Sequence, residues 1–168
     1  MSVLPILIYG DARLREVAVP VVVDASVRQL AADMVETMYD APGRGLAAPQ
    51  VGVGIRMFVM DCQWKDGAER APLVILNPEM SDPSPETAIR SEGCLSIPDI
   101  VVEVERPAEI SMRWWTLEGE MIARRLHGFE AVCAQHEYDH LDGVLNTDRV
   151  SDDARQDIAM QLQALAST

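Results

Sequence analysis

The chain is poor in lysine, cysteine and aromatic residues, and it has no long apolar run. One lysine, Lys65, and thirteen arginines face 27 acids, which gives a formal charge of 14 − 27 = −13 at pH 7. A protein that binds nucleic acid by neutralising phosphates needs a surplus of cations, so that class is excluded and no direct DNA binding is expected. The three cysteines, Cys62, Cys94 and Cys133, are too few and odd in number for a disulfide framework, which points to a reducing compartment, the cytoplasm by default. No apolar stretch approaches the roughly 20 residues that cross a bilayer, so no membrane partner is expected. The apolar start, Met1 to Tyr9, lacks a basic region, contains Pro5 and soon meets Asp11 and Arg13, unlike a signal peptide.

What is present suffices for a core. Hydrophobic residues make up 48% and charged residues 24% of the 168, and a single domain of this size hides roughly 70% of its unfolded surface. One domain over residues 1–168 is expected, with no internal repeat and with 151–168 as a C-terminal helix.

After Asp24-Ala25-Ser26, the apolar positions Val27, Leu30, Ala31, Met34, Val35 and Met38 follow helical spacing, with Ser26 and Gln29 as a capping box. A Gly- and Pro-punctuated segment, residues 43–54, follows. Residues 55–60, 73–76 and 101–105 read as strands, and 110–116 with 121–126 as a hairpin. A second helix opens near Gly128 and ends by Gly143, with Phe129, Val132, Cys133, His136 and His140 on one face. A last helix starts at Ser151 and turns Ile158, Leu162 and Leu165 inward. The lack of βαβα alternation favours an α+β fold. Its sheets would be mostly antiparallel and packed around a central helix that carries His-Glu-x-x-His, with N-terminal and C-terminal helices beside it.

That motif is His136-Glu137-Tyr138-Asp139-His140. Spacing of i, i+4 sets both imidazoles one turn apart, where they can grip one metal ion with Glu137 beside them as a base. A catalytic metal needs a third protein ligand and an open position. No His follows His140, so cysteine is favoured. Cys133 shares the helix, and side chains at i, i+3 and i+7 spread too far along it to converge; Cys62 follows an apolar strand and reads as a small buried residue. Cys94 lies in the Gly- and Pro-marked segment Ser91-Glu92-Gly93-Cys94-Leu95-Ser96-Ile97-Pro98, which can present a thiolate and free backbone N–H groups.

Gly45-Leu46-Ala47-Ala48-Pro49-Gln50, Glu92-Gly93-Cys94-Leu95-Ser96 and Gln135-His136-Glu137-Tyr138-Asp139-His140-Leu141, in this order, resemble the three motifs of peptide deformylases. The resemblance runs from about Val3 to about Arg149. It implies that Cys94, His136 and His140 bind one metal ion, that Glu137 is the acid/base, and that the Gln50 amide and the Leu95 N–H form an oxyanion hole. The implied reaction removes the formyl group from N-formylmethionine at the start of a nascent chain. Gly45 would then lie along the peptide, with Arg44, Leu46 and Gly93 at the substrate site and Phe129, Val132 and Cys133 around the Met side chain. The implied ion is Fe²⁺, with Zn²⁺, Ni²⁺ or Co²⁺ as substitutes.

Arg44 and Arg90 stand where relatives often carry apolar residues, so altered preference beyond Met is expected, or else solvated side chains. Asp139 is expected to contact an arginine, with Arg106 a candidate. The short acidic stretch Ser151–Asp157 argues against strong docking on ribosomal RNA and leaves at most a weak, transient ribosome contact. Three rivals remain: a zinc endopeptidase sharing His-Glu-x-x-His, a structural Zn²⁺ module closed by a fourth ligand, and a folded but inactive deformylase homologue.

Overall fold

The computed structural model describes residues 1–168. Helix α1 spans Ala25–Asp40, α2 Gly128–Leu141 and α3 Asp152–Ala166. The strands are β1 Gly45–Ala47, β2 Met57–Met60, β3 Leu73–Ser81, β4 Thr87–Cys94, β5 Ile97–Pro107, β6 Glu109–Trp115 and β7 Met121–His127. They form a five-stranded sheet, β1-β2-β3-β6-β7, and a separate hairpin, β4-β5, every pair antiparallel. The fold is therefore α+β, as expected. No helix is long and apolar enough to cross a membrane.

Strand β2 explains the architecture. All four of its residues are buried, because the sheet is covered on both faces at this point. Met57 and Val59 pack with α1 residues Met34 and Met38, whereas Phe58 and Met60 pack with Ala131, Cys133 and Ala134 of α2. A strand sandwiched this way reads as a continuous apolar run rather than an alternating one. On the hairpin, alternation returns: Ile100, Val102 and Val104 face inward, where Leu162 of α3 covers them.

The structure corrects several local expectations. The cap of α1 is Asp24, whose carboxylate accepts the Val27 N–H at 2.9 Å and the Ser26 hydroxyl at 2.6 Å, while Gln29 bonds Asp33 instead. Strands β1 and β4 have no counterpart in the sequence reading, and β3 and β5 run well past 73–76 and 101–105. Helix α2 is buried nearly all round, not along one face. Its end matches the expectation, with Gly143 at φ 72° just beyond the last turn.

Asn77 fastens the amino-terminal segment to the sheet. Its side chain accepts the Val21 N–H and donates to the Val21 carbonyl, both at 2.9 Å, from a left-handed backbone at φ 47°. Asn tolerates that conformation better than most residues. Asn77→Ala is expected to destabilise the fold by about 2 kcal/mol and lower Tm by roughly 4–8 °C, read by thermal denaturation. An unchanged Tm would show that the clasp contributes nothing.

Candidate metal centre and active site

The end of β4 meets the last two turns of α2. Cys94 Sγ and one ring nitrogen each of His136 and His140 lie within 4.8 Å of one another, and all three residues are buried. The imidazole centroids are 5.1 Å apart, and Cys94 Sγ is 3.5 Å from His140 Nε2. Metal bonds of about 2.3 Å to sulfur and about 2.1 Å to nitrogen would set a tetrahedral S···N edge of about 3.6 Å, so the residues fit a metal ion. The cluster has three members, and Cys94 and His136 face an open pocket of about 660 Å³. Three protein ligands beside an open position form the catalytic pattern; a structural site would be closed by a fourth.

Buried charge surrounds the two imidazoles. Glu92, two residues before Cys94 and so on the same strand face, meets His136 Nδ1 at 2.8 Å through Oε1. Arg106 of β5 grips both Glu92 oxygens at 2.6 and 3.0 Å and donates to Asp139 at 2.9 Å, and Arg149 closes the chain on Asp139 at 2.5 and 2.7 Å. Burial works against ionised Glu92, but its bonds to His136 and Arg106 outweigh this and hold its pKa below the usual value. Burial, with the charge of His136 beside it, keeps His140 well below the ordinary imidazole range, and so neutral.

Glu137 is set apart. Burial pushes its carboxyl up to about 7, and Oε2 is buried without a partner. A carboxyl tuned near neutrality suits a group that must take a proton and return it. Across from it, Gln50 is held by the backbone three residues earlier: Oε1 accepts the Ala47 N–H at 2.9 Å, which turns Nε2 toward Ser96 Oγ at 3.1 Å and Cys94 Sγ at 3.7 Å. Leu95 lies in the two-residue turn between β4 and β5, where its N–H donates to no protein group.

A sequence profile described as Polypeptide deformylase matches residues 3–156. The chain belongs to the polypeptide deformylase family. It is an enzyme of that type. It is 47% identical to a peptide deformylase of Rhizobium meliloti (strain 1021), over all of this chain and 97% of that protein, and 51% identical to one of Alkalilimnicola ehrlichii, over 98% and 92%. The crystal structure of peptide deformylase from Thermotoga maritima superposes with a TM-score of 0.84 at 42% identity, covering 90% of this chain and 99% of that one. A Met-Ala-Ser-bound deformylase from Acinetobacter baumannii gives a TM-score of 0.82 at 37% identity, covering 89% of this chain and all of that one.

Within this deformylase, Arg44, Gly45, Gly93, Phe129, Val132 and Cys133 line the pocket with Cys94, Gln50, Leu95 and Glu137. Leu46 does not: strand alternation turns its side chain into the α1 core, fully buried. Arg90 is exposed and outside the pocket. Arg44 is half-buried and held in place rather than free. Its guanidinium lies 4.9 Å over the Phe129 ring and bonds Asp66 at 2.9 and 3.2 Å. Sequence reasoning missed Glu92 as the partner of His136, although its i, i+2 spacing from Cys94 on a strand was the available signal.

Gly45 shows how tightly Glu137 is seated. A Cβ there would lie 2.5 Å from Glu137 Oε1 and 2.9 Å from its Cδ and Cγ. Gly45→Ala is expected to shift the carboxylate and lower kcat roughly 10- to 100-fold with metal content kept, measured by steady-state kinetics and metal analysis. Wild-type kcat in the variant would show that the contact does not position Glu137.

Proposed function

We propose that this enzyme hydrolyses the formyl group from N-formylmethionine at the start of newly made chains, releasing formate, with Cys94, His136 and His140 as ligands of a single Fe²⁺. Zn²⁺, Ni²⁺ or Co²⁺ would substitute. The observation that carries the reading is the convergence of one thiol and two imidazoles beside an open pocket, with Glu137 and the Gln50 amide at its edge. A divalent ion held there supplies Lewis acidity, polarising a carbonyl and lowering the pKa of water toward 7.

The protein's own groups do the rest. Glu137 takes the proton of the attacking water and returns it to the departing amine, a general base that becomes a general acid. The Gln50 Nε2 and the Leu95 N–H donate to the formyl oxygen as it gains negative charge. Gly45 lies along the extended peptide, while Phe129, Val132 and Cys133 enclose the Met side chain. An endopeptidase that shares His-Glu-x-x-His would recruit a downstream ligand, and no acid or imidazole after His140 joins the cluster. The reaction belongs in the cytoplasm, and acidic residues Asp152, Asp153 and Asp157 at the start of α3 argue against more than weak, transient contact with a ribosome.

Formate release from formyl-Met-Ala-Ser by protein loaded anaerobically with Fe²⁺ tests the reading, beside Glu137→Ala, Gln50→Leu and unformylated Met-Ala-Ser. The parent is expected to release formate, Glu137→Ala none, and Gln50→Leu roughly 100- to 1,000-fold less in kcat, both variants retaining metal. No formate at full metal occupancy would refute deformylation, cleavage of the control peptide would favour an endopeptidase, and metal loss in Gln50→Leu would reject its assigned role.

A further inference from the structure

Outside the metal centre the fold sets the two remaining cysteines on one apolar cluster. Side chains alternate beyond the end of β2: Asp61 turns to α1, where its carboxylate accepts the Tyr39 hydroxyl at 2.6 Å, and Cys62 turns to the opposite face. There it packs against the apolar cluster that contains Cys133. Arg44 joins both residues. Its carbonyl accepts the Asp61 N–H at 2.9 Å and the Cys133 thiol at 3.6 Å, while its guanidinium donates to the Cys62 carbonyl at 2.5 Å.

The pair differs in access. Cys133 faces the substrate pocket, and half-buried Cys62 borders a smaller cleft of about 190 Å³ on the other side, beside Glu69 and Glu130. The adjoining Cys62 thiol and burial together push the Cys133 thiol well above the ordinary range, which leaves Cys62 as the thiol that meets an oxidant first.

We propose that Cys62 and Cys133 form a redox-active dithiol, a modification site separate from Cys94, which a hydroperoxide converts to a disulfide across the wall of the substrate pocket. The Cys62 sulfur attacks the peroxide, the O–O bond breaks, and a sulfenic acid forms with release of water or an alcohol. The Cys133 sulfur then attacks the Cys62 sulfur, the S–S bond forms, and the sulfenic oxygen leaves as water with the thiol proton. Two electrons pass from the thiols to the peroxide. The new bond ties α2, one turn before Glu137, to the end of β2 beside Arg44. Its effect on turnover rests on the deformylase reading; the crosslink itself does not.

The test treats Zn²⁺-loaded full-length protein with hydrogen peroxide, since Zn²⁺ has no redox chemistry of its own. Free thiols are then alkylated in denaturant, and the digest is mapped by mass spectrometry before and after reduction. A Cys62–Cys133 linked peptide with Cys94 alkylated is expected. A fall in formate release of at least roughly five-fold should accompany it and be reversed by dithiothreitol; Cys62→Ala and Cys62→Ser should form no link and keep their activity. Oxidation chiefly at Cys94, or separate oxidation of Cys62 and Cys133 without a link, would overturn the proposal, as would loss of activity in both variants under the same treatment. A linked peptide in protein that never released formate would uphold the dithiol and reject the deformylase reading, so the two fail separately.

Discussion

Helix α2 can sit at the centre of this protein only if the polar groups it carries inward find partners there. Gln135, His136, Glu137, Asp139 and His140 are all buried. Breaking one member out of a buried ion pair costs about 3–5 kcal/mol, so the surrounding elements must supply matching groups at fixed places. Strand β5 brings Arg106, β4 brings Glu92, and the segment between α2 and α3 brings Arg149. The Gln135 amide donates to the Pro107 carbonyl at 3.0 Å. Among the fully buried side-chain nitrogens and oxygens of this helix, Glu137 Oε2 and His140 Nδ1 have no protein partner. Both atoms belong to residues in or beside the Cys94–His136–His140 cluster, and the alternating charges around them hold the rest of the helix in place.

Much of this was legible because chemistry at short spacing is written locally. His136 and His140 share a helix face by their spacing alone, and the glycine before Phe129 and the one after Asp142 bracket the helix. Asp139 and Arg106 could be paired as opposite charges in need of burial partners. Less legible were features set by distant segments. The three residues of β1 have too little length to announce a strand, and β4, with Arg90, Ser91 and Glu92 in a row, looks like a loop until β5 pairs with it. Leu46 resembled a pocket residue because its neighbours are, yet alternation on β1 turned it the other way. Asp24 displaced Ser26 as the cap by binding both the Val27 N–H and the Ser26 hydroxyl.

The rim of the pocket depends on a loop rather than on the sheet. Trp64 donates through Nε1 to the Gly43 carbonyl at 3.0 Å, and Arg44 spans from Asp66 to Phe129. A cation stacked on an aromatic ring and held by a carboxylate has few alternative positions, so Arg44 serves as a wall of the pocket more than as a free charge. Lys65, on the same turn, also lines the pocket and has no carboxylate partner.

The five-stranded sheet ends in two unlike edges. Strand β7 exposes Arg124 and Arg125, charges that discourage another strand from adding there. Strand β1, at the other edge, carries no such guard. Its protection is brevity: three residues, closed off by Pro42-Gly43 before it and Pro49 after it, at the margin of a pocket. An edge so short gives a second copy of the chain too little backbone to zip against. Three residues at one edge and a pair of arginines at the other thus limit self-association of the same sheet by different means.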